Sequence, residues 1–198
     1  QNPVTGDCRV AGMLASLTGV ERAVAHNDNT ELELALARIY LLNSVILSIG
    51  GLPLLYMGDE LGLLNDYSYQ KDPTKRDDSR WVNRVKMSEQ QLQDATDKKT
   101  LSGKVYAQLQ QLIAVRSQLA VLGNGSTVIL QSNNPHLFAY QREIAQQQLL
   151  CIVNFSESAQ LYSHQHSGVW QDEFTGNRHQ GATISLQPYQ VLWLTPQA

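Results

Sequence analysis

The run Gly50-Gly51-Leu52-Pro53-Leu54-Leu55-Tyr56-Met57-Gly58-Asp59-Glu60-Leu61-Gly62 decides how this chain is read. Its middle, Leu52 to Tyr56, is short, apolar and bounded by glycines, the pattern of a strand buried on both faces as in a parallel sheet. Ahead of it, Thr30 followed three residues later by Glu33 is a capping box that opens an apolar run, and Gly50-Gly51 stops it, so a helix is expected from Thr30 to Ile49. Apolar side chains fall nearly all round that helix, which places it between other layers. Helix followed by buried strand is an α/β unit.

Working outward, residues 1–28 hold scattered glycines and the polar run His26-Asn27-Asp28-Asn29, and read as an irregular or short-helical excursion. From Gly58 to Met87 the chain is polar and irregular, and so long a loop inside a domain is usually functional. Ser88 with Gln91 caps a short helix, and Val105, Leu109, Leu112 and Ile113 mark a longer amphipathic one ending near Gly123. Beyond Ser126 the period changes. Thr127–Leu130, Leu137–Gln141, Leu149–Asn154, Gln160–Tyr162, Val169–Trp170, Ala182–Leu186 and Gln190–Leu194 are β-favouring runs about 8 to 12 residues apart, which predicts a small antiparallel β-sandwich. Trp170, Tyr189 and Trp193 are expected to fill or rim its core.

The composition narrows the function classes. With 198 residues, 42% hydrophobic, 17% charged and a formal net charge of -3, the chain has the makings of a folded core and no basic run for nucleic acid or an anionic membrane. The most apolar stretch is broken by Arg38, Asn43 and Ser44 and is short for a bilayer span. Cys8 and Cys151 read as free thiols. The first residues show no leader pattern, and the chain reads as cut from something longer.

Chemistry is sought in the loop after Tyr56, because in α/β barrels the C-terminal end of a strand faces the active site. Asp59 and Glu60 stand there, but neighbours on an extended segment point apart, whereas glycoside cleavage needs two carboxylates flanking one bond. They read as caps of a short following helix or partners of a neighbouring base, with a place in the site loop as the alternative. Asp66, Tyr67, Asp77, Asp78 and Trp81 occupy the same loop, and its aromatics either stack on a sugar or anchor the loop. The spacing of the acids fits no calcium loop, phosphate and dinucleotide glycine patterns are absent, and neither metal nor cofactor is expected.

These motifs together resemble a family. Gly51 to Gly62 is similar to the eighth barrel strand and its loop in the α-amylase superfamily. Gly6-Asp7-Cys8-Arg9-Val10, Leu63-Leu64-Asn65-Asp66, Asp77-Asp78-Ser79-Arg80-Trp81 and the closing Leu186-Gln187-Pro188-Tyr189-Gln190-Val191-Leu192-Trp193-Leu194 resemble amylosucrases and related sucrose hydrolases. The resemblance implies the C-terminal part of a (β/α)8 barrel, with its last helices and eighth strand, followed by an antiparallel β-sandwich, α+β by content. Residues 1–28 would end the insertion after strand seven, 29–122 complete the barrel, and 123–198 form the sandwich. It implies a parent enzyme that moves the glucosyl unit of sucrose to an α-glucan or to water, with its catalytic carboxylates ahead of Gln1 and none in this chain. Arg9 is similar to an arginine on the acceptor-side sugar, and Arg80 to one that closes the glucosyl pocket by pairing with an acid. By residue chemistry alone each would be a surface ion pair, Arg9 with Asp7 and Arg80 with Asp77. Without the barrel's other elements, exposed apolar surface and self-association are expected. The rival reading is a non-catalytic sandwich that binds glucan by itself.

Overall fold

In the computed structural model, which describes residue 6 and residues 10–145, 147–163 and 168–197, the chain falls into two compact units. One comprises residues 1–36 and 55–106, the other residues 37–54 and 107–198. Arg9 and Cys8 lie outside the described residues.

In the first unit, residues 10–28 are more ordered than the sequence suggests, forming helices α1, Leu14–Leu17, and α2, Val20–His26. The next helix, α3, runs Asn29–Ser48, so the expected element is present but its start is different. Asp28, not Thr30, caps it: the Asp28 Oδ1 accepts from the Glu31 amide at 2.9 Å and its carbonyl from the Leu32 amide at 3.0 Å. An aspartate ahead of the first turn does both jobs and also favours the positive end of the helix. The loop beyond Gly58 contains three short 3-10 turns, Asp59–Leu61, Ser68–Lys71 and Ser79–Asn83. Helix α4, Glu89–Asp94, opens on the Ser88/Gln91 capping box, and α5 spans Leu101–Gln118. Met13, Leu61 and Leu63 form a buried cluster against which Val85, Met87 and Ala95 pack.

The second unit holds helix α6, Ala120–Asn124, and eight strands: β1 Ser126–Leu130, β2 Leu137–Ile144, β3 Gln147–Asn154, β4 Gln160–Ser163, β5 Val169–Asp172, β6 Arg178–Gln180, β7 Thr183–Leu186 and β8 Val191–Gln197. Six make a sheet of order β1-β2-β3-β8-β5-β6, and β4 pairs with β7 in a second. Every pairing is antiparallel. All seven sequence runs overlap strands, with Ala182 and Gln190 one residue outside theirs, and β6 is the addition. On one face Ala139, Leu150, Ile152, Leu192, Leu194 and Trp170 join Tyr162, Ile184 and Leu186 of the smaller sheet in the core. Tyr140, Cys151 and Trp193, partners across β2, β3 and β8, point the other way and are also fully buried. There Ser48 of α3 meets the Tyr140 hydroxyl at 2.5 Å, and Phe174 bridges Tyr40 of α3 and Trp193. A strand covered on both faces reads apolar without alternation, as Leu149–Val153 does. Burial pushes the Cys151 thiol up to about 12, which makes it unreactive.

The C-terminus of α3 is held by arginines. Arg142, only 3% exposed, donates to the Ile49 carbonyl at 3.1 Å and to the Thr127 hydroxyl, while Arg116 donates to the Leu47 carbonyl. Carbonyls at a helix end balance such charges without a carboxylate. Gly50 sits at φ 122°, a conformation L side chains rarely adopt, and a Cβ there would also crowd the Arg142 guanidinium.

One expectation fails. Leu52–Tyr56 pairs with no strand among the described residues, and Leu52 and Leu54 are 98% and 82% exposed. Exposed and half-buried residues alternate along it, the period of an extended segment. Apolar composition signals a doubly buried strand, but burial requires neighbouring strands, and none is there to flank this one.

Candidate functional site

Past Tyr56 the chain turns at Gly58, which adopts φ 98°. The Gly58 carbonyl accepts from the amides of both Leu61 and Leu63, and the Tyr56 carbonyl from that of Asp59. This knot turns both acids onto the main chain. Asp59 Oδ1 accepts from the Leu14 amide at 2.9 Å, and Glu60 Oε2 from the Gly58 amide at 2.6 Å. Burial, and secondarily the Glu60 charge, raises the Asp59 carboxyl above its ordinary range against the pull of the Leu14 amide. Neither acid faces the other across open space.

Asn65 makes the second clasp. Its Oδ1 accepts from the Met13 amide at 2.8 Å and its own amide donates to Ser16 Oγ at 2.9 Å, so α1 is tied to the loop at both ends. Tyr67 accepts from Asn65 Nδ2 and donates to Glu21 Oε2, which anchors the tyrosine rather than freeing it. Asp66 Oδ1 receives the Ser68 amide. The Ser68 hydroxyl and amide, helped by the Lys75 charge, hold the Asp66 carboxyl below its usual range.

The motif Asp77 to Trp81 forms the third 3-10 turn. Asp78 is its N-cap and grips Arg80 three times, accepting from the backbone amide at 3.0 Å, from Nε at 2.8 Å and from Nη2 at 2.9 Å. The ion pair is therefore with Asp78, not Asp77. Asp77 is 91% exposed at the side chain and 4.0 Å from Arg76, because the capping position, one residue later, is the one whose carboxylate faces the turn's amides. The Trp81 ring is occupied by cations, with Lys75 Nζ 4.9 Å and Arg84 Cζ 4.7 Å from its centroid.

These elements enclose an open groove of about 350 Å³ lined by Val10, Gly12, Tyr56, Ser79, Arg80 and Arg84, among others. The groove brings Arg80 and the end of the 52–56 segment together with Val10, the residue after Arg9. Arg84 and Asn65 went unnoticed as site residues. Arg84 carries no motif of its own; it falls beside Trp81 because three residues separate them across a 3-10 turn.

The hydrogen bonds from Arg80, first its side chain and then its amide, with the Arg80 and Arg84 charges behind them, hold the Asp78 carboxyl down to about 2. A depressed value means that the clamp is complete above the ordinary value of 3.8 and is lost as pH falls toward about 2. Carboxyl-carbon titration by NMR is expected to give Asp78 a midpoint near 2, and Arg80→Ala is expected to move it back toward 3.8. A midpoint near 3.8 in the unmodified chain would contradict the clamp.

Residues 127–193 match the family model of the maltogenic amylase C-terminal domain, so the antiparallel β-region is similar to a domain of that kind. Among curated relatives, the chain is 34% identical over 93 residues to a trehalose-6-phosphate hydrolase of Escherichia coli (strain K12), covering 45% of this chain and 17% of the relative. It is 26% identical over 164 residues to a glucosylglycerate phosphorylase of the same organism, covering 80% and 28%. Among solved structures, an AmyP variant in complex with maltotriose shares the fold at a TM-score of 0.67 and 16% identity, over 82% of this chain and 35% of that one. A MutB variant in complex with the substrate sucrose does so at 0.59 and 18%, over 81% and 38%. The chain thus spans well under half the length of each.

Proposed function

We propose, taking residues 127–193 as a maltogenic-amylase-type C-terminal domain, that this chain is the C-terminal portion of a retaining α-glucoside-processing enzyme of the α-amylase family. In that reading residues 1–28 end an insertion, 29–122 complete a (β/α)8 barrel around the 52–56 segment, and 123–198 are the sandwich. The observation that carries it is the fold likeness to AmyP across 82% of the chain, which spans the helical residues as well as the strands. Asp59, Glu60 and Asp78 are all spent on internal hydrogen bonds. This reading puts the two carboxylates that flank a scissile glycosidic bond outside these 198 residues and gives the chain the guanidinium side of the sugar pocket.

The finer assignment is amylosucrase-like: glucosyl transfer from sucrose to an α-glucan. It rests on the motif around Arg80 and on the groove that gathers Arg80, Tyr56 and Val10. Asp78 fixes the Arg80 fork through Nε and Nη2, leaving Nη1 for a second carboxylate or a sugar hydroxyl. Hydrolysis or isomerisation of sucrose would use the same groove with a different acceptor. The rival of a free-standing glucan-binding sandwich is weakened because, of its platform candidates Trp170, Tyr189 and Trp193, the two tryptophans are 3% and 0% exposed and the tyrosine ring carries Arg38.

Chromatography of the products formed from sucrose plus a maltooligosaccharide, by the protein that carries this chain, tests the assignment. Lengthened oligosaccharides with released fructose are the expected result. Free glucose with fructose would make it a hydrolase, an isomerised disaccharide an isomerase, and unchanged sucrose would defeat the reading.

A further inference from the structure

Among the described residues two guanidiniums line the groove, and only one is committed. Arg80 gives Nε and Nη2 to Asp78. Arg84 makes no side-chain hydrogen bond or ion pair among the described residues. Its amide donates to the Trp81 carbonyl at 3.1 Å, which sets the two side chains on one side of the turn, and its guanidinium lies over the indole ring. Stacking uses the face of a guanidinium and leaves its N–H edge free. Trp81 therefore works as a platform that holds an exposed arginine in one place at the groove.

We propose that Arg84, presented by Trp81, is a specificity-determining residue that donates to the hydroxyls of the neutral glycosyl unit bound beside Arg80; this rests on the α-glucoside reading above. The neutral unit follows from the α-glucoside reading, and inhibition by a sugar phosphate separates it from an anionic ligand. Charged donors held in one orientation are stronger partners for hydroxyls than neutral ones.

The test is steady-state kinetics on sucrose by the protein that carries this chain. Arg84→Gln is expected to raise KM about tenfold with kcat within about twofold, the mark of binding lost equally from ground and transition states. Trp81→Leu should raise KM similarly, because the platform goes. Arg84→Lys should recover part of the loss, and it serves as the second variant if the glutamine form does not fold. Glucose 6-phosphate should inhibit no better than glucose. Unchanged KM in Arg84→Gln beside an impaired Arg80→Ala would overturn this inference alone, as would strong inhibition by the phosphate. No turnover by the unmodified protein would overturn the functional reading and this with it.

Discussion

Arg80→Ala, in the protein that carries this chain, is expected to lower kcat/KM on sucrose by about a hundredfold while leaving the melting temperature within a few degrees. The two halves of that result have separate causes. As a surface ion pair, Arg80 with Asp78 contributes little to folding, since the arginine side chain is 67% exposed. As a fork fixed by Asp78, it presents its remaining donors in a set direction, and two charged hydrogen bonds are worth about 3 kcal/mol to a bound sugar or a facing carboxylate. That amount corresponds to about two powers of ten in kcat/KM. Arg80→Lys should restore little, because an ammonium cannot reproduce the fork. A variant that keeps full activity would reduce the Asp78–Arg80 pair to surface decoration and remove Arg80 from the pocket.

The second large effect belongs to the core of the strand-rich unit. Trp193→Ala should destabilise that unit by about 3–5 kcal/mol. Trp193 has no exposed surface, lies opposite Cys151 in the β3–β8 ladder and packs its ring 4.8 Å from Phe174, so nothing nearby can collapse into the space without breaking the ladder. Against a typical stability of about 5–15 kcal/mol the loss is severe, and it should appear as a lowered urea midpoint at nearly constant slope. A loss below about 1 kcal/mol would mean that the ring is not a core element.

How far the sequence could be read depends on where each signal resides. Helix α3 and seven strands announce themselves through side-chain periodicity and glycine stops, which are local. Strand β6, Arg-His-Gln at 178–180, has no apolar residue and exists only through its ladder with β5, which no local pattern reveals. The exposure of Leu52 and Leu54 is the same lesson reversed: an apolar composition names the environment a segment is suited to, and neighbouring strands decide whether it gets it. At the site, the motif around Arg80 is legible, but the surface partner that residue chemistry alone offers, Asp77, is one residue off, because the turn's capping geometry selects Asp78. Arg84 carries no motif signal at all. Its place at the groove follows from three-residue stacking on Trp81, which requires knowing that the segment is a 3-10 turn.

The central claim is that these residues form one side of a sugar pocket whose acids lie elsewhere, and glucose transfer from sucrose measures it most directly. The 198-residue chain by itself, freed of contaminating enzyme, should release no fructose, whereas the same chain joined to its upstream coding sequence should release it at an ordinary enzymatic rate of about 1–1000 per second. Fructose release by the isolated chain, or none by the extended protein, would contradict the account.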